Sequence, residues 1–226
     1  MYVRVEVARK LDLIDPHANH FLKQVKWAAS SVYQKIKSAR MIDVYFIATD
    51  LDENECHKVI GEVFSDTVLN DVHVSRCDYK FEYHWAVEKK FKPGVTDNTG
   101  RTLKEAFEIT LGKQVESAQF SSGKLLLLNA ASLNQLELEQ ITKDVFCNEL
   151  IELYQINSAD KFNEQDRFDS SVIDKNWPRV TLEDSGVVET FDLVELSDEN
   201  LQQMSLKNLW ALSLDEMKAV KSQFAT

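Results

Sequence analysis

The sequence predicts an α+β protein: two β-α-β-α-β repeats forming a pseudo-two-fold pair of antiparallel sheets with helices, followed by a mostly extended linker with short C-terminal helices. Three observations predict it. Alternating strand patterns and amphipathic helix patterns succeed one another through residue 156; the same anchor residues return after a constant interval; and beyond residue 156 the periodicity stops.

The first strand is read over Tyr2 to Ala8, where Val3, Val5 and Val7 share one face. Asp15-Pro16 then opens a helix as cap followed by proline at the first helical position, with Phe21, Leu22, Val25, Ala28, Ala29 and Val32 on its inner face. Met41 to Ala48 is a covered strand. Asp52 and Glu55 form a capping-box-like start to a second helix, with Cys56, Val59, Ile60, Val63 and Phe64 inward, and Val68 to Val74 closes the unit as a strand.

The unit then repeats. Asp15, Leu51, Asp52, Glu55, Val63 and Phe64 each have a counterpart 82 residues on, at Asp97, Leu133, Asn134, Glu137, Val145 and Phe146. At the same interval Val3 and Val5 fall on Trp85 and Val87, and Val44, Tyr45 and Phe46 on Leu126, Leu127 and Leu128. Two small units that are marginal alone can bury faces against one another, so residues 1–78 and 79–156 are expected to be paired repeats, with 2–74 and 84–156 superposable by a near two-fold rotation. Residues 157–226 form the linker region. In it, Asn157 to Pro178 reads as extended, Val187 to Leu196 as a strand and Ser197 as a helix start. Ser213 with Glu216 is a capping box for a last helix carrying Leu214, Met217, Val220 and Phe224 on one face, a contact surface for further domains or for a second copy of the chain.

Between strand Tyr83–Lys89 and the helix that begins near Thr99 lies the turn Phe91 to Leu103. Pro93 fixes its own φ, Gly94 permits a left-handed turn, and Asp97 or Asn98 caps the helix, which Gly112 stops. Together with Gly100 and Arg101 these are the candidate structural or docking residues. Arg101 is the one expected to dock, because a guanidinium at a helix start gains nothing from the local dipole.

The net charge of −11 disfavours nucleic-acid and anionic-membrane partners, since phosphate binding needs clustered Lys and Arg. No apolar run approaches a membrane span, the N-terminus is a charged strand and not a signal sequence, and three widely spaced cysteines read as reduced thiols in the cytoplasm. Six glycines leave room for neither a Walker loop nor a G-x-G-x-x-G turn. His17 and His20 beside Asp15 read as surface histidines before a metal pair; Cys56 and His57 point about 100° apart on a helix; and Cys147 reads as a core or rim thiol. No catalytic, cofactor-binding or metal residue is assigned.

Four stretches carry a resemblance to a known family: Lys92 to Thr102 (KPGVTDNTGRT), Val145 to Glu152 (VFCNELIE), its first-repeat echo Glu62 to Leu69 (EVFSDTVL), and Leu212 to Val220 (LSLDEMKAV). Taken along the chain, in that family's order, they resemble the N-terminal, PurS-like domain and following linker of phosphoribosylformylglycinamidine synthase, also called formylglycinamide ribonucleotide amidotransferase. The resemblance covers the whole chain. It implies a part in the ATP- and glutamine-dependent amidation of de novo purine synthesis, with ATP and Mg bound by the complete enzyme and none by this chain. The expected partners are the synthase and glutaminase domains, which follow the linker in the family, and a homodimer of the isolated chain is the other expected assembly. The first repeat departs from the pattern, reading Leu13 to Ala18 (LIDPHA) where the second has the full turn. Two other classes stay open: a free-standing regulatory module of two ferredoxin-like or ACT-like units binding a metabolite, and a protein-interaction module unrelated to purines.

Overall fold

A computed structural model describes residues 1–64, 66–74, 79–164, 166–177 and 190–224. The chain divides into two compact units, Met1–Val180 and Thr181–Thr226. The first holds β1 (Tyr2–Arg9), α1 (Pro16–Ala28), α2 (Ser30–Tyr33), β2 (Ser38–Ala48), α3 (Glu53–Val63), β3 (Asn70–His73), β4 (Trp85–Phe91), α4 (Asn98–Leu111), β5 (Gln119–Asn129), α5 (Gln135–Ile141) with a π-helical turn (Thr142–Phe146), β6 (Glu152–Ser158), α6 (Ala159–Glu164) and α7 (Ser170–Lys175). The fold is α+β.

The expected pair of sheets is one continuous antiparallel sheet of six strands, ordered β3-β1-β2-β5-β4-β6. β2 and β5 pair along their whole length, from Ser38 opposite Asn129 to Ala48 opposite Gln119. The join has a simple cause: left apart, these two long apolar strands would each present an edge of unpaired N–H and C=O groups. The order reads the same from either edge when β1, β2 and β3 are matched to β4, β5 and β6.

The constant interval of 82 fails in the middle strands. Val5 pairs with Tyr45, and Val87, which lies 82 residues after Val5, pairs with Leu126; Tyr45 and Leu126 are only 81 apart. Because side chains alternate across a strand, that single residue moves each matched position to the opposite face, so Val44 is not the counterpart of Leu126. At the corrected interval Asp43 is matched to Lys124, with which it pairs across the centre of the sheet, the carboxylate and ammonium 2.6 Å apart.

One face of the sheet carries two helix layers. Phe21 and Val25 of α1 join Leu138, Ile141 and Phe146 over Met41, Val87, Leu126 and Leu128, while Cys56, Val59 and Ile60 of α3 join Leu103 and Phe107 of α4 over Val3, Val5 and Ile47. The first helix of one half therefore packs with the second helix of the other. The opposite face is covered too. Phe162 of α6 and Ile173 of α7 seal Ile42, Val44, Phe46, Leu125 and Leu127. Of Asn157 to Pro178, expected as an extended connection, 157–158 finish β6, while 159–164 and 170–175 are two six-residue helices, too short to show a period, that form a second layer of the fold.

The second unit contains α8 (Asp198–Lys207) and α9 (Leu214–Gln223), each started by a serine cap, Ser197 and Ser213. Leu201 and Met217 are fully buried in it, and Ser205 both donates to and accepts from the Leu212 backbone. Of the strand expected at Val187–Leu196, residues 187–189 lie outside the described residues and 190–196 are irregular. Among the described residues no helix is long and apolar enough to cross a membrane.

Candidate functional site

The turn before α4 is built as its residues dictate. Gly94 has φ +84°, Lys92 accepts from Val95 N–H across the turn, and the Lys92 N–H donates to Ile151 O at 2.9 Å, tying the turn to the start of β6. Pro93 and Gly94 are exposed. A Cβ at a positive φ is strained, so Gly94→Ala should lower stability by about 1 kcal/mol or more in a urea titration; a loss within error would mean the turn relaxes around the methyl group.

Asp97, not Asn98, is the cap. Its Oδ1 accepts from Gly100 N–H at 2.8 Å and from the Ser122 hydroxyl at 2.9 Å, and its Oδ2 accepts from Ser122 N–H on β5. Asn98 is the exposed first residue of α4. Asp15 does the same work in the first half, accepting from Ala18 N–H at 2.9 Å and from Met41 N–H of β2 at 2.8 Å. The aspartates are 82 apart and their strand partners Met41 and Ser122 are 81 apart, which gives the corrected interval independently. Each aspartate latches a helix start onto the central strand of its half. Gly100 matches Ala18, and a Cβ on it would come within 2.7 Å of Phe120 O, so the start of α4 approaches β5 too closely to admit a side chain there. Arg101 points into solvent, 70% exposed, with Glu105 3.8 Å away.

Beside this turn a cleft of about 130 Å³ lies between the helix layers, bordered by Thr99, Tyr45, Ser122 and two internally matched ion pairs, Asp43–Lys124 and Lys89–Glu152. Those charges satisfy one another. Burial, followed by the charges of Asp43 and Asp97, pushes the Tyr45 phenol up to about 12, so it stays protonated and neutral.

The other face holds a group of residues that sequence reasoning missed. Glu6, on β1, is fully buried and accepts from Arg4 Nε at 2.7 Å, from Arg167 Nε at 3.0 Å and from the Tyr79 hydroxyl. Arg4, 3% exposed, also donates to Glu88 of β4 at 2.6 Å. Burial alone would raise the Glu6 carboxyl, but the two guanidinium charges and the Tyr79 hydrogen bond outweigh it and hold it below the usual range. Above this network opens a cleft of about 370 Å³ lined by Arg4, Glu88, Lys90, Asn157, Phe162 and Arg167. Asn157 Oδ1 and one terminal nitrogen of Arg167 are buried there without a hydrogen-bond partner among the described residues.

Of the other predicted positions, Met217 is fully buried within the second unit, Leu214 and Val220 are half-buried, and Phe224 is 75% exposed. His17 and His20 are both exposed on α1. Cys56 and Cys147 are buried free thiols; burial first, then nearby carboxylates, pushes Cys56 up to about 11 and raises Cys147, the opposite of nucleophile activation. Cys77 lies outside the described residues. Among those described, no group of three His, Cys, Asp or Glu side chains could hold a metal. No protein-family model matches the chain, and no curated protein matches it.

Proposed function

We propose that this chain is the N-terminal assembly and positioning region of a phosphoribosylformylglycinamidine synthase, made of two PurS-like halves arranged about a pseudo-two-fold axis through the Asp43–Lys124 pair. The observation that carries the reading is the recurring aspartate latch. Asp15 and Asp97 each cap a helix and bond the backbone of a central strand, in a sheet whose strand order reads alike from both edges. The four motif stretches supply the family. The chain acts by presenting complementary faces to the synthase and glutaminase domains, which bring the ATP, the Mg and the nucleophilic thiolate. Arg101, exposed at the start of α4 with one weak neighbour, is the docking residue of the turn. Phe224 and its neighbours on α9 offer a second contact surface.

The test combines the purified chain with synthase and glutaminase domains produced without it. Alone, the chain should release neither glutamate nor phosphate; added to the other domains, it should restore glutamine-dependent amidation. Arg101→Ala should leave stability within about 0.5 kcal/mol, as expected of an exposed side chain, and weaken the assembly. Turnover by the isolated chain, or no complex, would overturn the reading. An unchanged complex with Arg101→Ala would remove that residue from it. One observation favours the alternative of a metabolite-binding module, namely the polar cleft on the face covered by α6 and α7.

A further inference from the structure

The cleft over the buried charge network is chemically incomplete as it stands. Arg4 is engaged by Glu6 and Glu88, but Arg167 shares Glu6 through Nε and has a buried terminal nitrogen with no hydrogen-bond partner among the described residues. Among the described residues the Lys90 ammonium donates a hydrogen bond to a neutral group, the Asn176 carbonyl. Asn157, 4% exposed, holds an acceptor oxygen with no donor among the described residues. Buried polar groups are as a rule hydrogen-bonded and costly to leave unmet, so something polar belongs among them.

Charge selects what it is. Arg4, Lys90 and Arg167 face Glu6 and Glu88, so among the described residues the cleft region carries one uncompensated positive charge. A monoanion balances that; a dianion would overshoot it and meet the Glu88 carboxylate. The remaining walls include Phe46, Phe162 and Ile173, which favour an apolar body, and about 370 Å³ admits a small metabolite. We propose that this cleft binds a small monoanionic carboxylate with a short apolar body, its carboxylate held by Lys90 and the free Arg167 nitrogen. A donor on the ligand, or a water bridging to it, meets Asn157 Oδ1. The proposal does not depend on assembly with other domains, since every residue it uses lies in the first unit.

The experiment is an amide-shift titration of the full chain by NMR, at pH 7.5 and constant ionic strength. The probes are sodium isobutyrate, inorganic phosphate and, as control, sodium chloride. Isobutyrate should give saturable shifts centred on Lys90, Asn157 and Arg167 that chloride does not give. Lys90→Gln and Asn157→Asp, neither of which removes a hydrogen bond to Glu6, should each weaken isobutyrate about tenfold or more, by removing the cation or by placing a carboxylate in the site. Saturation of phosphate at lower concentration than isobutyrate would overturn the carboxylate assignment. Shifts equal to those of chloride, or undiminished in both folded variants, would mean that water alone fills the cleft and would sink the proposal.

Discussion

Glu6→Ala should be among the most damaging single substitutions in this chain, costing about 3–5 kcal/mol in urea denaturation at neutral pH, because it removes the shared partner of two buried cations. Arg4 would keep Glu88, 2.6 Å away, but Arg167 would lose its only ion-pair partner among the described residues while its guanidinium remains stacked against Tyr79, Phe162 and Phe168. The damage therefore spreads from β1 into the α6–α7 layer. Glu6→Gln, which keeps a hydrogen-bonding oxygen and loses the charge, should lie between the wild type and Glu6→Ala. A loss below about 1 kcal/mol for Glu6→Ala would show that water enters and compensates the charges.

The pH dependence follows from the same carboxyl. Its folded-state pKa lies below its unfolded value, so its contribution is fully present above the ordinary carboxylate range near about 4.3 and is lost as pH falls through the folded pKa. The stability gap between wild type and Glu6→Ala should accordingly be constant from neutral pH down to about 4.5 and narrow only in more acid solution. Other carboxylates titrate in both proteins and cancel in the difference. A gap that instead widened on acidification would contradict the ion-pair account of Glu6.

The helix starts were legible because capping is local. Asp15, Asp52, Asp97, Asn134, Ser197 and Ser213 all cap the helices their sequence positions announce. What Asp97 does beyond its own helix, bonding Ser122 N–H across 25 residues, carries no local signal. The misplaced register has a different cause. Leu125 to Leu128 are all buried because both faces of β5 are covered, Leu125 and Leu127 by one layer and Leu126 and Leu128 by the other, and a run with no alternation cannot show which residue faces which side. Arg4 and Glu6 alternate with the valines of β1, and nothing in that alternation marks them as buried. The groups that bury them, Tyr79, Phe162 and Arg167, come from segments 73 to 163 residues away that have no pattern of their own. The second cleft was invisible for the same reason: its walls meet only after the layer of α6 and α7 has folded onto the sheet.

A second large effect is expected where β5 passes β4. Gly123 sits in a central strand, opposite Val44 on one side and Lys90 on the other, and a Cβ built on it would lie 2.5 Å from the Lys89 carbonyl oxygen. The obstacle is backbone and not the tip of a flexible side chain. It belongs to β4, which is itself held between β5 and β6, so it cannot swing away without breaking ladder hydrogen bonds on one side or the other. Gly123→Ala should therefore cost about 3 kcal/mol, the upper end of what an added methyl does to a packed interior, despite the better strand propensity of alanine. Gly61 supplies the control. It lies on the exposed side of α3 with nothing within 4 Å of an added Cβ, and Gly61→Ala should raise stability by about 0.5–1 kcal/mol through helix propensity alone. The two variants, measured side by side by urea denaturation, should move in opposite directions. A neutral or stabilising Gly123→Ala would mean that the close approach of β5 to β4 yields at little cost.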